Sequence, residues 1–158
     1  MRTAIALTLL LAVTAIAASP PRPPLDPRWV KLKEEAEPYR AFAEQMVLAL
    51  GKGDAKTVRA RWAAPVGENG AKAIDDAFSQ AIVPYFATFD KLDPDLTALT
   101  RTQDKDHKGF VVQMVFFDTA GERKPVLIYV VKVNDAFTIA NIIPGHSLDE
   151  ASRIKPQP

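Results

Sequence analysis

The chain has 158 residues, with 20 lysines and arginines, 19 aspartates and glutamates, and no cysteine. The absence of cysteine excludes disulfides, thiolate metal sites and a thiol nucleophile. The near-neutral charge balance gives no electrostatic attraction toward nucleic acid or an anionic membrane surface, so we expect no nucleic-acid partner.

The first 18 residues are typical of a secretory signal peptide. Arg2 precedes an apolar run that ends at Ile16, and small residues follow this run. The run is too short to span a bilayer, although a retained membrane anchor is the alternative interpretation. We predict a signal peptide over residues 1–18, cleaved after Ala17 or Ala18. The mature protein is then periplasmic or secreted, without a transmembrane segment.

Residues 19–28 are rich in proline and are expected to form an extended spacer, because proline fixes φ and lacks an N–H donor. Apolar residues then recur at helical spacing from Trp29 to Leu50. This pattern predicts a first helix, and Pro38 predicts a kink or a restart within it.

The stretch "LALGKGDAKTVRARW" predicts a corner between two helices. Gly51 and Gly53 favour the end of the first helix, because glycine adopts the left-handed conformation at little cost. Asp54 is a typical N-cap residue, so we expect a short second helix, which Pro65 ends.

Residues 67–70, "GENG", are predicted to form a loop before a third helix. Residues 71–89 carry one continuous apolar stripe at helical spacing, in which Pro84 predicts a kink. The sequence "DKLDPD" at residues 90–95 is expected to form a polar turn.

The chain beyond residue 95 favours β-strands, because apolar residues recur at period two or in short runs. The pair Asn134–Asp135 is typical of a two-residue hairpin. Short turns require antiparallel neighbours, so we predict a meander. The predicted strands cover residues 96–103, 110–118, 123–133 and 136–143.

The sequence therefore predicts a single α+β domain over residues 29–146, with N-terminal helices packed on a curved antiparallel sheet, and a flexible tail over residues 147–158. One strand, residues 110–118, is apolar on both faces, whereas helices can cover only one face of the sheet. The second face must curl into a cavity, be covered by a kinked helix, or pair with another subunit.

The corner at residues 48–62 and the closing stretch "YVVKVNDAFTIANIIPG" at residues 129–145 resemble the nuclear transport factor 2-like superfamily, with its cystatin-like fold. The resemblance covers about residues 34–145 and is nearest to small exported bacterial members. It implies a cone with an apolar pocket between helices and sheet, and often a homodimer across the sheet. Enzymes of this superfamily, such as the ketosteroid isomerase-like ones, place carboxylates, tyrosines or histidines on inward strand positions.

The chain offers no matching acid–base set on its predicted strand interiors. His107 lies in the "DKDH" turn at residues 104–107, and His146 follows the last strand. A solvated turn is a better interpretation of "DKDH" than a metal site, because no fourth ligand is in view. The aspartates of residues 90–95 lack the glycine and distal glutamate of a calcium loop. We therefore predict no catalytic residue, metal or cofactor.

Five residues are candidates for a ligand pocket. Apolar neighbours at period two place three polar side chains on strand faces that should be largely buried, where each needs a partner. They can bind a ligand, or bond to one another or to a second subunit. Two helical aromatics, which are more often core residues, complete the set. The candidates are Gln113, Tyr129, Asn141, Tyr85 and Trp62.

Two main classes of function remain open. The first is an exported, non-catalytic binding or accessory protein whose apolar pocket or dimer face takes an apolar small molecule or an envelope protein. The second is a small pocket enzyme, an isomerase or a dehydratase-like enzyme, acting on an apolar molecule. A weaker third class is a protein-binding inhibitor or immunity factor. The missing acid–base pair favours the first class.

Overall fold

The computed structural model describes residues 27–63, 67–94, 98–101 and 108–148. The signal peptide, the spacer up to residue 26, Pro65, Asp95, the "DKDH" turn and the tail from residue 149 lie outside the described residues. The helical elements are α1 (Pro27–Gly51), α2 (Ala55–Ala60), α3 (Gly67–Ala77), a π-helical turn (Phe78–Ile82) and α4 (Val83–Phe86). The strands are β1 (Phe89–Leu92), β2 (Ala98–Arg101), β3 (Gly109–Asp118), β4 (Arg123–Val133) and β5 (Ala136–Pro144).

Helices therefore precede an antiparallel sheet, as the α+β prediction requires. Helix α1 begins at Pro27, two residues before the predicted start, because proline suits the first helical position. The helix continues through Pro38, so the predicted restart is wrong. Pro38 has no N–H group, so the carbonyl of Glu34, four residues earlier, lacks its usual helical donor. Both residues are exposed. Water can satisfy a carbonyl on this side of the helix.

The corner between α1 and α2 follows the prediction. Gly53 has φ +78°, and its N–H donates to the carbonyl of Leu50 at 2.9 Å. The N–H of Asp54 donates to the carbonyl of Ala49 at 2.9 Å, which completes a Schellman cap. The Asp54 carboxylate in turn accepts the N–H of Thr57 at 3.1 Å. Asp54 thus ends one helix with its backbone and starts the next with its side chain.

The predicted third helix, residues 71–89, differs from the observed one at both ends. Residues 67–70 form the first turn of α3 instead of a loop, and the helix ends at Phe86. A π-helical turn lies directly before Pro84, with the N–H of Val83 donating to the carbonyl of Phe78. Pro84 cannot donate to the helical ladder, and a wider turn accommodates such a missing bond.

The sheet has five strands rather than the four that the sequence predicts. Strands β1 and β2 both pair with β3, which makes them two halves of one interrupted edge strand. Between them, the N–H of Asp93 donates to the carbonyl of Val115 at 2.9 Å. Part of the predicted turn at residues 90–95 is therefore strand β1, whose pairing with β3 outweighs its polar composition.

Strands β3, β4 and β5 form the predicted meander. The hairpin between β4 and β5 turns at Asn134 and Asp135, with φ values of 49° and 63°. Both residues tolerate positive φ, and this turn matches the twist of its strands. Strand β5 contains a β-bulge at Ala140, because Tyr129 faces Asn141 whereas Val130 faces Ile139.

The helices pack on one face of the sheet, and large side chains fill the space between them. The rings of Phe86 and Phe116 stack with centroids 5.0 Å apart, and Tyr39 lies 4.9 Å from Phe110. The strand residues of this core alternate along β3 and β4 and include Ile139 and Ile142 of β5. They are Phe110, Val112, Met114, Phe116, Val126, Ile128, Val130, Ile139 and Ile142.

We predict that Asp54→Ala lowers Tm by about 2–5 °C, because α2 loses the side chain that accepts its free N–H group. The variant leaves ligand binding unchanged, since the corner is structural. Asp54→Asn keeps an accepting oxygen and serves as the control, which should melt close to the parent. Calorimetric melts of the three proteins check this. An alanine variant that melts like the parent but binds less ligand would contradict it.

Candidate functional site

The face of the sheet opposite the helices, here called the second face, carries the predicted polar strand residues. Two rows of directly paired residues run across it from β3 through β4 to β5. The first row is Gln113, Leu127 and Ile143, and the second row is Val111, Tyr129 and Asn141.

The aliphatic part of the second face is buried within a single chain. Val111, Val115, Leu127 and Val131 are only 3–7 % exposed, although none of them belongs to the core cluster on the helix side. The sequence leaves three ways to cover this face: a cavity, a kinked helix or a second subunit. A second subunit is not required, because these side chains are already shielded from water within one chain. An open dimer face would leave them exposed in the isolated chain.

Gln113 is buried at 6 % exposure and has a specific hydrogen-bond partner. Its Oε1 accepts the N–H of Leu148 at 2.6 Å, from the segment that follows β5. The side chain therefore connects the centre of β3 to the chain that leaves the sheet. The oxygen of this amide is therefore satisfied structurally.

Tyr129 and Asn141 lie opposite each other on β4 and β5. Tyr129 is half-buried, but Asn141 is exposed, so the prediction that Asn141 shares a buried face with Ile139 is wrong. The physical reason is the bulge at Ala140, which shifts the alternation by one residue and turns Asn141 to the second face. The two side chains thus form a polar rim beside the aliphatic part.

Tyr85 and Trp62 lie on the helix side of the sheet and do not join the other three candidates. The Tyr85 hydroxyl donates to the carbonyl of Pro125 at 2.7 Å, and its ring meets that of Phe116 edge-on at 5.5 Å. Trp62 packs edge-on against Phe78 at 5.1 Å and forms a parallel bridge with Ile139. Both aromatics belong to the packing between helices and sheet.

The shifted titratable groups of the sheet have structural causes. Burial raises the pKa of Tyr85, whose hydroxyl is engaged with the backbone. The pKa of Asp118 is lowered, mainly because its Oδ1 accepts the N–H of Glu122 at 2.8 Å. Lys124 adds an ion pair at 3.2 Å. Asp118 thus holds the β3–β4 turn, and neither group is placed as a proton donor or acceptor toward the second face.

The part of the chain that the structure describes contains no cluster of three or more histidines, aspartates or glutamates suited to a metal ion. The buried Asp93 carboxylate pairs with Arg123 at 3.3 Å near the end of β3. Of the aspartates in the predicted turn, Asp90 lies in β1, and Asp93 contributes a strand-pairing hydrogen bond and an ion pair.

A separate depression of about 270 Å³ lies between α2 and the π-helical turn. Its polar wall is an ion pair, because Arg59 contacts Asp75 at 2.7 Å. The apolar wall includes Phe78 and the exposed Val83. None of the five predicted site residues lines this depression, whose charged residues are Lys56, Arg59 and Asp75.

Sequence patterns missed two features of the second face. The first is the β-bulge, for which Ala140 between two β-favouring stretches gives no distinctive signal. The second is the contact between Gln113 and Leu148, which joins residues 35 positions apart. A buried glutamine at period two signals the need for a partner, but it does not identify that partner.

No known protein family, no curated protein and no solved structure matches this chain. Among the residues that the structure describes, no helix combines the length and apolarity needed to cross a membrane. Function must therefore be inferred from the geometry of the second face.

We predict that Asp118→Asn destabilises the protein in a pH-dependent manner. A carboxyl with a lowered pKa adds stability above its unfolded-state value of about 3.9, and this stability is lost as pH falls through the folded-state value. The difference in Tm between parent and variant should therefore be largest between about pH 5 and 7 and shrink below about pH 4. Melts over this range check it. The matched control is Asp135→Asn at the 99 % exposed hairpin carboxylate. A difference in Tm between the parent and Asp118→Asn that does not change with pH would contradict the stabilising role of the Asp118 carboxylate.

We predict that Val115→Arg destabilises the monomer by at least about 2 kcal/mol, because it buries an unpaired charge. The number of subunits should not change, since the face is covered within one chain. The control, Ala136→Arg, adds the same charge at an exposed position and should be near neutral. Chemical denaturation and sedimentation velocity measure both quantities. Folded monomers derived from a parent dimer would instead identify a dimer face.

Proposed function

We propose that the protein is an exported, non-catalytic binding protein whose ligand is a small apolar molecule with one hydrogen-bonding group. The observation that carries this proposal is the composition of the second face. A buried aliphatic surface adjoins three uncharged polar side chains, those of Gln113, Tyr129 and Asn141. An apolar surface with a few placed polar groups is the usual make-up of a small-molecule site.

Amides and a phenol favour binding over catalysis. An amide orients a ligand by donating and accepting hydrogen bonds, but it does not exchange protons with the ligand near neutral pH. Among the described residues of β3, β4 and β5, no histidine or carboxylate lies beside Tyr129 on the second face. A proton-transfer enzyme would need a matched acid and base aimed at one substrate atom.

The close packing on the helix side of the sheet supports the proposal that the ligand binds to the second face. The rings and aliphatic chains of the core occupy the space between helices and sheet, where the resemblance to nuclear transport factor 2-like domains implies a pocket. Membership of that superfamily, with its cone-shaped fold, is part of the proposal, and the order of helices before an antiparallel meander supports it. Export by way of the N-terminal signal peptide is proposed from the sequence of residues 1–18.

Native mass spectrometry of the protein purified from the cell envelope tests this function. We expect a monomer that carries a small-molecule adduct, and a polypeptide mass that lacks the first 17 or 18 residues. A protein that is free of adducts after isolation from the envelope contradicts the binding proposal. An intact N-terminus contradicts export, and a stoichiometric second polypeptide favours an envelope protein as partner.

Substitution of the polar rim tests the location of the site. Asn141→Leu should lower the fraction of protein with the adduct, with a loss of affinity of about fivefold, the equivalent of one hydrogen bond. The matched control is Asn69→Leu, which makes the same change at an exposed position of α3. Equal occupancy in both variants would place the ligand elsewhere. Turnover of a ketosteroid or epoxide substrate that vanishes in Tyr129→Phe would favour the pocket enzyme.

A further inference from the structure

The depression between α2 and the π-helical turn has an apolar wall that the wider turn assembles. The N–H of Val83 donates to the carbonyl of Phe78, five residues earlier. In an α-helix, two side chains five residues apart point about 140° away from each other, because each residue turns the chain by about 100°. The π-helical turn reduces this angle, so Phe78 and Val83 both line the depression.

This apolar wall combines a fixed residue with an accessible one. Phe78 is 6 % exposed, and its ring packs edge-on against Trp62 at 5.1 Å. Val83 is 41 % exposed and is one of two large apolar side chains among the described residues that are so accessible. An apolar group bound in the depression would remove part of the Val83 side chain from water, which is favourable.

Helix α2 supplies two positively charged residues to the depression, Lys56 and Arg59. The Nε–H of Arg59 donates to Asp75 Oδ1 at 2.7 Å. Within the described part of the chain this is the one hydrogen bond of the guanidinium group, so both of its terminal NH₂ groups remain available as donors. Lys56 forms neither a hydrogen bond nor an ion pair with any described residue. Asp75 therefore positions Arg59 without occupying the donors that suit an anion.

The charges that line the depression leave one positive charge uncompensated. Lys56 and Arg59 are positive, and Asp75 is the one acidic residue among the described lining residues. Asp54 is close to Lys56 in the chain, but it does not line the depression and its carboxylate accepts the N–H of Thr57 at 3.1 Å. A ligand with a single negative charge would match the depression. A phosphate group, at about −1.5 to −2 near neutral pH, would leave excess negative charge beside Asp75.

The volume of the depression sets the size of such a ligand. At about 270 Å³ the depression is slightly smaller than the sites of about 300–1,000 Å³ that hold drug-sized molecules. A water molecule occupies about 30 Å³ of the liquid, so the volume equals that of roughly nine water molecules. A short-chain carboxylate such as hexanoate is of this size.

We propose that the depression is a second binding site, which takes a small monocarboxylate with a short apolar tail. The carboxylate pairs with the terminal NH₂ groups of Arg59 and with Lys56, and the tail lies against Phe78 and Val83. Asp75 positions Arg59 and disfavours ligands with two negative charges. The site is independent of the function proposed for the second face, because the paired rows of that face share no residue with it.

Titration of the protein with hexanoate, followed by the NMR signals of the Ala55 and Val83 methyl groups, tests the site. We expect saturable shifts at both residues with a Kd of about 1 mM, because so small a ligand makes few contacts. Hexanol and hexylamine keep the apolar tail without the negative charge and should bind at least about fivefold more weakly. Hexyl phosphate should bind at least about twofold more weakly than hexanoate, because of its higher charge.

Substitution of the charged residues tests the recognition of the carboxylate. Arg59→Gln removes the positive charge that Asp75 positions and should raise the Kd for hexanoate at least about fivefold. The matched control is Lys72→Gln, which removes one positive charge at a 75 % exposed residue outside the depression and should leave the Kd unchanged within about twofold. Should Arg59→Gln unfold, Lys56→Gln, at an exposed residue, replaces it with the same expected weakening.

The absence of saturable shifts at Ala55 and Val83 overturns the proposal, as does an unchanged Kd in a folded Arg59→Gln variant. Equal binding of hexanol and hexanoate overturns the recognition of a carboxylate, and tighter binding of hexyl phosphate identifies a phosphate as the head group instead. Shifts confined to Tyr129 and Asn141 reject this site and support the second face. A protein that is isolated without an adduct but binds hexanoate at Ala55 and Val83 keeps this site and rejects only the proposed function.

Discussion

Strand β3 must be buried on both of its faces, and the rest of the structure depends on this requirement. Phe110 and Phe116 on one side are at most 1 % exposed, and Val111 and Val115 on the other side are at most 5 % exposed. Removing these side chains from water is a major source of stability. A sheet with a single layer of helices can supply only half of that burial.

The two faces meet this requirement in different ways. Helices α1 and α4 and the π-helical turn cover the helix side of the sheet. The rings of Tyr85 and Phe86 in α4 contact Phe116 edge-on and stacked, so the packing is close and specific. The second face has no described helix on it and instead receives the chain that leaves β5, through the bond from Leu148 to Gln113. A cover attached by a few hydrogen bonds is easier to displace than a packed helix, and this difference is the reason why we propose the second face as the binding surface.

Local sequence patterns predicted the features that short-range chemistry controls. The corner at Asp54 follows from a cap and two glycines, and the hairpin at Asn134 from two residues that tolerate positive φ. The apolar stripe of α1 predicted most of the core residues of this helix, including Ala43, Val47 and Leu50, but it missed Phe42. In each case the relevant partners lie within a few residues of one another in the chain.

Features that depend on distant partners were not predictable in this way. Strand β1 has a polar sequence and becomes a strand because β3 offers it hydrogen bonds. The bulge at Ala140 reverses the orientation of Asn141, although its neighbours alternate as an ordinary strand would. Of the five predicted site residues, Gln113, Tyr129 and Asn141 share the second face, but Tyr85 and Trp62 do not, because period alone does not say which side of a sheet a helix covers.

The central claim is that the second face is covered by the same chain. The protein has no cysteine, so Val115→Cys introduces a single thiol of nearly the same size at a residue that is 5 % exposed. We predict that a maleimide labels this thiol at least about 100-fold more slowly than the thiol of Ala136→Cys, and at a rate independent of protein concentration. Rapid labelling, or protection that disappears on dilution, would contradict the claim and show that the face is open or is covered by a second subunit.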